Sequence, residues 1–99
     1  MNTEIKAVHF ELDEATKEII GERVERLEFA ADKVIDLDFT LTQDKSNRYE
    51  IEAKVHFRWG AHSVLKADGY DLGATLHDLL DRVDHKVRKE VDRVSDHKA

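Results

Sequence analysis

From Asp71 onward, Leu72, Leu76, Leu79, Leu80, Val83, Val87, Val91 and Val94 recur at three- and four-residue steps, which marks one apolar helix face about seven turns long. The same period governs DEATKEIIGERVERLEFAADK, where Ala15, Ile19, Ile20, Val24, Leu27 and Ala31 line one side. The carboxylate of Asp13 suits the N-cap of that first helix, which is expected to run to Lys33. Between the helical stretches the period falls to two. In VIDLDFTLTQD, Ile35, Leu37, Phe39 and Leu41 alternate with Asp36, Asp38, Thr40 and Thr42. In RYEIEAKVHFRWG, Tyr49, Ile51, Ala53, Val55, Phe57 and Trp59 share one side, and Glu50, Glu52, Lys54, His56 and Arg58 the other. Gly60-Ala61 turns the chain, HSVLKAD returns with Leu65 and Ala67 inward, and TEIKAV at residues 3–8 supplies a short first strand.

The order is therefore β-α-β-β-β-α. The three later strands follow one another through short connections and are expected to pair antiparallel. A four-stranded sheet with both helices packed on one face satisfies every apolar stripe and leaves the other sheet face polar, an α+β fold. Ninety-nine residues suit one domain spanning 1–99, and SDHKA at the end is expected to fray.

Charge changes the picture. Charged residues make up 38% of the chain and the formal net charge is −6, a balance that argues against nucleic acid unless cations are gathered locally. They are gathered on the last helix. Arg82, Lys86, Lys89 and Arg93 fall within about 60° of one another, because steps of four, three and four residues return to one side of a helix. Arg23, Arg26 and Lys33 share an edge of the first helical stretch, and if the two edges face each other they form one cationic seam suited to an RNA backbone. That stretch, Asp13 to Lys33, nevertheless carries seven acids against four bases. Asp78 to Arg82 and Asp81 to His85 offer i,i+4 pairs, the ordinary chemistry of a solvated helix edge.

The stretches FELDEATKEII, RVERLEFAADKV and KADGYDLGATLHDLLDRV, in this order and spacing, resemble the short form of the bacterial ribosome hibernation promoting factors. That family includes the ribosome-associated translation inhibitor and has been labelled sigma-54 modulation protein. Gly73 and His77 depart from its pattern, which tends to have a tyrosine and an aspartate there. The resemblance implies a fold like the double-stranded-RNA-binding domain. It also implies a non-enzymatic factor that occupies the messenger and transfer RNA channel of the small ribosomal subunit in stationary phase or stress. The implied partner is ribosomal RNA of the small subunit, and the acidic remainder of the surface suits basic ribosomal proteins as a further partner. Carried over by position, the rRNA-binding residues are Lys17, Arg23, Arg26, Lys33, Arg82, Lys86 and Lys89, and the charge stripe adds Arg93. The alternative is a diverged member acting as a protein-interaction module through its acidic surface, and a third reading is a general binder of duplex RNA.

Other chemistry finds little support. With no cysteine there is neither a disulfide framework nor a thiolate site, and the chain contains no signal-like apolar run, so a cytoplasmic protein without membrane attachment is expected. His77, Asp81 and His85 follow i, i+4, i+8 spacing, which drifts along a helix and does not close three ligands on one ion. His56 and His62 are expected to be a surface pair, and no cofactor or small-molecule substrate is expected. Asp36 and Asp38 share the open sheet face without a basic or histidine partner at defined spacing, and no Gly-rich phosphate loop or nucleophile elbow occurs. Phe57 and Trp59 lie on the core-facing register, which assigns Trp59 to the core and not to a base-stacking platform.

Overall fold

The computed structural model describes residues 1–95; the fraying expected of SDHKA falls, from Asp96 on, outside them. The elements are β1 (Asn2–Val8), α1 (Glu14–Glu25), a 3-10 turn (Glu28–Ala30), β2 (Val34–Gln43), β3 (Tyr49–Phe57), β4 (His62–Gly69) and α2 (Leu72–Ser95). They form one four-stranded sheet in the order β1-β2-β3-β4. Strand β1 runs parallel to β2, as a crossover through α1 requires, while β2-β3 and β3-β4 are antiparallel.

One sheet face supplies Leu37, Phe39 and Leu41 from β2, Ile51, Ala53, Val55 and Phe57 from β3, and Ala67 from β4. Against it pack Ile20, Leu27 and Ala30 from the first helical stretch and Leu76, Leu79, Leu80, Val83 and Val87 from α2. Both helical stretches therefore cover the same side, and the two-residue and helical periods meet in one core.

Local chemistry sets several boundaries. Asp13 caps α1 by accepting from the Thr16 N–H at 2.8 Å, and Asp71 does the same for α2 through Ala74 N–H at 3.0 Å. The 44–48 turn is built on the Asp44 carboxylate, which accepts from the N–H groups of Ser46 and Arg48, with Asn47 in the left-handed region at φ 64°.

Four expectations need correction. The first helix does not run to Lys33: α1 ends at Glu25, and a 3-10 turn follows, whose i,i+3 stacking places Leu27 and Ala30 together in the core. Within α1, Thr16 is buried and Ala15 exposed, so the inner face is turned by one position there. Ile35 is 39% exposed because the β2-β3 register shifts between Val34 and Asp36, and Val34 takes the core position. Trp59 lies beyond the end of β3 and is 36% exposed. Phe57 N–H donates to Ala61 C=O at 2.8 Å, which makes Arg58-Trp59-Gly60 a three-residue hairpin loop with Gly60 at φ 90°.

Candidate nucleic-acid interface

Helix α2 presents two chemically different flanks. Its buried line is centred on Val83, and Arg82, Lys86, Lys89 and Arg93 form an edge on one side of that line. The Arg82 guanidinium donates to the Lys66 carbonyl, so this edge overhangs β4. On the other side lie α1 and the 3-10 turn: Arg23 pairs with Asp81 at 2.6 Å, and the Arg88 guanidinium stacks 4.5 Å from the Phe29 ring centre. Asp78, Asp81, His85 and Asp92 run outward between the flanks, within about 60° of one another.

Glu90 organises the β4-side edge. Its side chain is only 14% exposed, and it accepts from Arg93 at 2.9 Å and pairs with Lys86 at 3.4 Å. Those hydrogen bonds, Arg93 first and then Lys86, hold its carboxyl below the usual carboxylate range against the opposing pull of desolvation. One inward carboxylate thus spaces two outward cations. Arg82 also meets Asp78 at 3.4 Å, the pair expected from the i,i+4 spacing. The other expected pair, Asp81 with His85, gives way to Asp81 with Arg23.

The cations named from the first helical stretch are distributed differently. Lys17 pairs with Glu14 at 3.4 Å on the exposed surface, and Lys33, beyond the 3-10 turn, pairs with Asp32 at 3.4 Å. The hydrogen bond from Lys33 is the main cause of the lowered pKa of Asp32. Arg23 is drawn between the helices, its side chain 14% exposed and its Nε without a hydrogen-bond partner. The α1 cations and the α2 edge consequently do not pool into one seam. The α2 edge stands apart, with the outward carboxylates of α2 between it and Arg23.

Six of the eight named cations hold a carboxylate, namely Lys17, Arg23, Lys33, Arg82, Lys86 and Arg93. Arg26 and Lys89 carry no ion pair among the described residues. The exposed pairs of Lys17 and Arg82 are worth about 0–1 kcal/mol each, so a phosphate displaces them at small cost; Arg23 is held by burial as well as charge, and Lys86 and Arg93 share the single charge of Glu90, which leaves their edge net positive. The strongest local set for an anion is therefore Arg82, Lys86, Lys89 and Arg93. Two further cations were not among the site candidates, and Arg58, expected on the polar side of the strand, lies beyond its end. Arg88 pairs with Asp84 at 2.5 Å, a spacing visible in the sequence, but its contact with Phe29 is long-range and gives no local signal. Arg58 follows β3 and donates to the Asp32 carbonyl at 2.9 Å, a contact made only by folding.

The open sheet face carries Asp36, Asp38, Glu50 and Glu52 together with Lys54, Lys66 and Asp68. It is cross-linked rather than uniformly acidic: Glu52 lies 3.7 Å from both Lys54 and Lys66, and Arg48 pairs with Asp68. Asp36 does have a histidine partner, contrary to expectation, with His56 Nδ1 at 3.6 Å. The His56 ring stacks on His62 with centroids 4.1 Å apart, across neighbouring strands. No helix among the described residues is long and apolar enough to cross a membrane.

This architecture recurs in solved structures. A ribosomal subunit interface protein from Coxiella burnetii superposes with a TM-score of 0.78 at 14% identity, over 93% of this chain and 99% of that one. The N-terminal domain of Protein Y from Thermus thermophilus superposes with a TM-score of 0.74 at 19% identity, over 90% and 98%. At such identities the likeness establishes the fold. No curated protein sequence matches this chain. The family described as Sigma 54 modulation protein / S30EA ribosomal protein matches residues 3–95, nearly the whole length, and the chain belongs to that family.

Proposed function

We propose that the chain, residues 1–99, acts as one cytoplasmic, non-catalytic ribosome-binding domain that occupies the messenger and transfer RNA channel of the small subunit and silences translation in resting or stressed cells. Family membership and the fold shared with the Coxiella burnetii ribosomal subunit interface protein support the ribosome as partner. The observation that carries the RNA contact is the α2 edge overhanging β4, where Glu90 spaces Lys86 and Arg93 and Lys89 stands without a carboxylate among the described residues. Four cations along about three helical turns suit a run of backbone phosphates, each neutralisation releasing counterions and making binding steeply salt-dependent. Such contacts confer affinity and orientation, and the carboxylates of the open sheet and α1 turn those faces away from RNA. Inhibition then follows occupancy, set by the factor's concentration over its dissociation constant.

A second reading keeps one specific observation: Glu18, Glu22 and Glu25 are exposed on α1 with no ion pair among the described residues, a surface suited to a basic protein. Co-sedimentation with small ribosomal subunits at low and high salt distinguishes these readings. The ribosome factor associates stoichiometrically at low salt and is lost on combining Arg82→Glu, Lys86→Glu and Lys89→Glu. Undiminished association of that triple variant defeats the proposed edge, absence of association by the unaltered chain favours the protein-interaction module, and equal retention on plain duplex RNA favours a general RNA binder.

A further inference from the structure

Trp59 is the only tryptophan of the chain, and folding places it in a loop at the tip of the β3-β4 hairpin. Its ring stacks on Phe57, centroids 5.0 Å apart and planes 16° from parallel. Phe57 is fully buried, so the core holds one face of the indole, while Trp59 as a whole stays 36% exposed. A flat aromatic surface held from behind loses little conformational freedom when a second ring stacks in front of it. The neighbouring charge is cationic on balance. Arg58 adjoins it in the loop, anchored by its Nη1 donating to the Asp32 carbonyl at 2.9 Å and by its backbone N–H donating to the Lys33 carbonyl at 2.9 Å. Arg58 has no ion pair among the described residues, and the nearby Lys33 shares Asp32 at 3.4 Å. Two cations and one carboxylate thus stand at the loop that carries the indole.

We propose that this tip is a stacking site for an unpaired nucleotide base, with Trp59 as the platform and Arg58 and Lys33 meeting the adjoining phosphates. The chemistry selects single strands: a base already stacked in a duplex offers no free face, whereas an extruded or loop base does. The inference deepens the ribosome reading above and rests on it, adding a contact to unpaired ribosomal RNA distinct from the phosphate edge on α2.

Trp59 reports on its own occupancy. Titration with an oligouridylate of about ten nucleotides is expected to quench its fluorescence, and a duplex of the same length to leave it unchanged. Trp59→Leu is expected to weaken binding of a labelled strand about tenfold, while Trp59→Phe stays within about threefold, both variants being checked for native circular dichroism. Absence of quenching, equal quenching by the duplex, or undiminished binding by Trp59→Leu overturns the site. Parallel co-sedimentation with small subunits separates the two claims. Subunit binding with a silent Trp59 removes the stacking site and leaves the ribosome reading standing. Quenching of Trp59 together with labelled-strand binding that Trp59→Leu weakens, without subunit binding, does the reverse.

Discussion

Gly69 and Thr75 show how closely single residues fit where β4 hands over to α2. Thr75 is buried in the first turn of α2, and a Cβ added at Gly69 would stand 2.5 Å from its Oγ1. Gly69→Ala is therefore expected to lower stability by about 1–3 kcal/mol, seen as a fall in melting temperature. Thr75→Ala in the same chain removes the clashing oxygen and is expected to return part of that loss; an undiminished penalty in the double variant would locate the cause elsewhere. Nothing in the local pattern marks this approach, because it depends on where the helix is laid across the strand. The same holds for Trp59. Alternation along RYEIEAKVHFRWG assigns it to the core, yet the loop begins one residue after Phe57, and a period of two has no meaning past the last ladder bond. Ile35 fails for a related reason, since a register shift moves Val34 into the place that strict alternation reserves for its neighbour.

At the scale of elements, the long helix is the most legible part of the chain. Its apolar positions and basic edge both follow from the 3.6-residue period, and both are present in α2. The first helical stretch is less legible: no glycine or proline stands between Val24 and Ala31, so the change to a 3-10 turn has no letter of its own and follows from packing Leu27 and Ala30 beneath α2. The Glu90 arrangement also belongs to this scale. Because the folded carboxyl binds its proton less readily than the unfolded one, its stabilisation is complete above the ordinary carboxylate range and is lost as pH falls through the lower folded value. Glu90→Gln is accordingly expected to lower the denaturation midpoint at pH about 7, with the difference from the unaltered protein shrinking as the pH is taken below the ordinary carboxylate range. A difference that persists in acid would mean that packing, not charge, is what Glu90 contributes.

Across the whole molecule, the decisive feature is the separation of the α2 cation edge from Arg23 by the outward carboxylates of α2. Lys89 lies on the β4 side, and Arg23 lies between the helices with its charge met by Asp81. If the α2 edge grips phosphates, Lys89→Ala should reduce the salt slope of small-subunit binding by about one, and Arg23→Ala should leave that slope unchanged. Dissociation constants measured over a salt series give both slopes; the opposite ranking would move the contact to the groove between the helices. The amino-acid sequence by itself determined the order of elements, the sheet covered on one face and the four-cation edge, because periods of two and 3.6 residues and i,i+4 pairing are properties of neighbours along the chain. Only the tertiary structure decided that the two helices' cations stay apart, that Asp36 meets His56 and that Trp59 faces solvent. Each of these depends on the rotation of one element against another or on the point where a strand ends, which are settled by packing between residues distant in the chain.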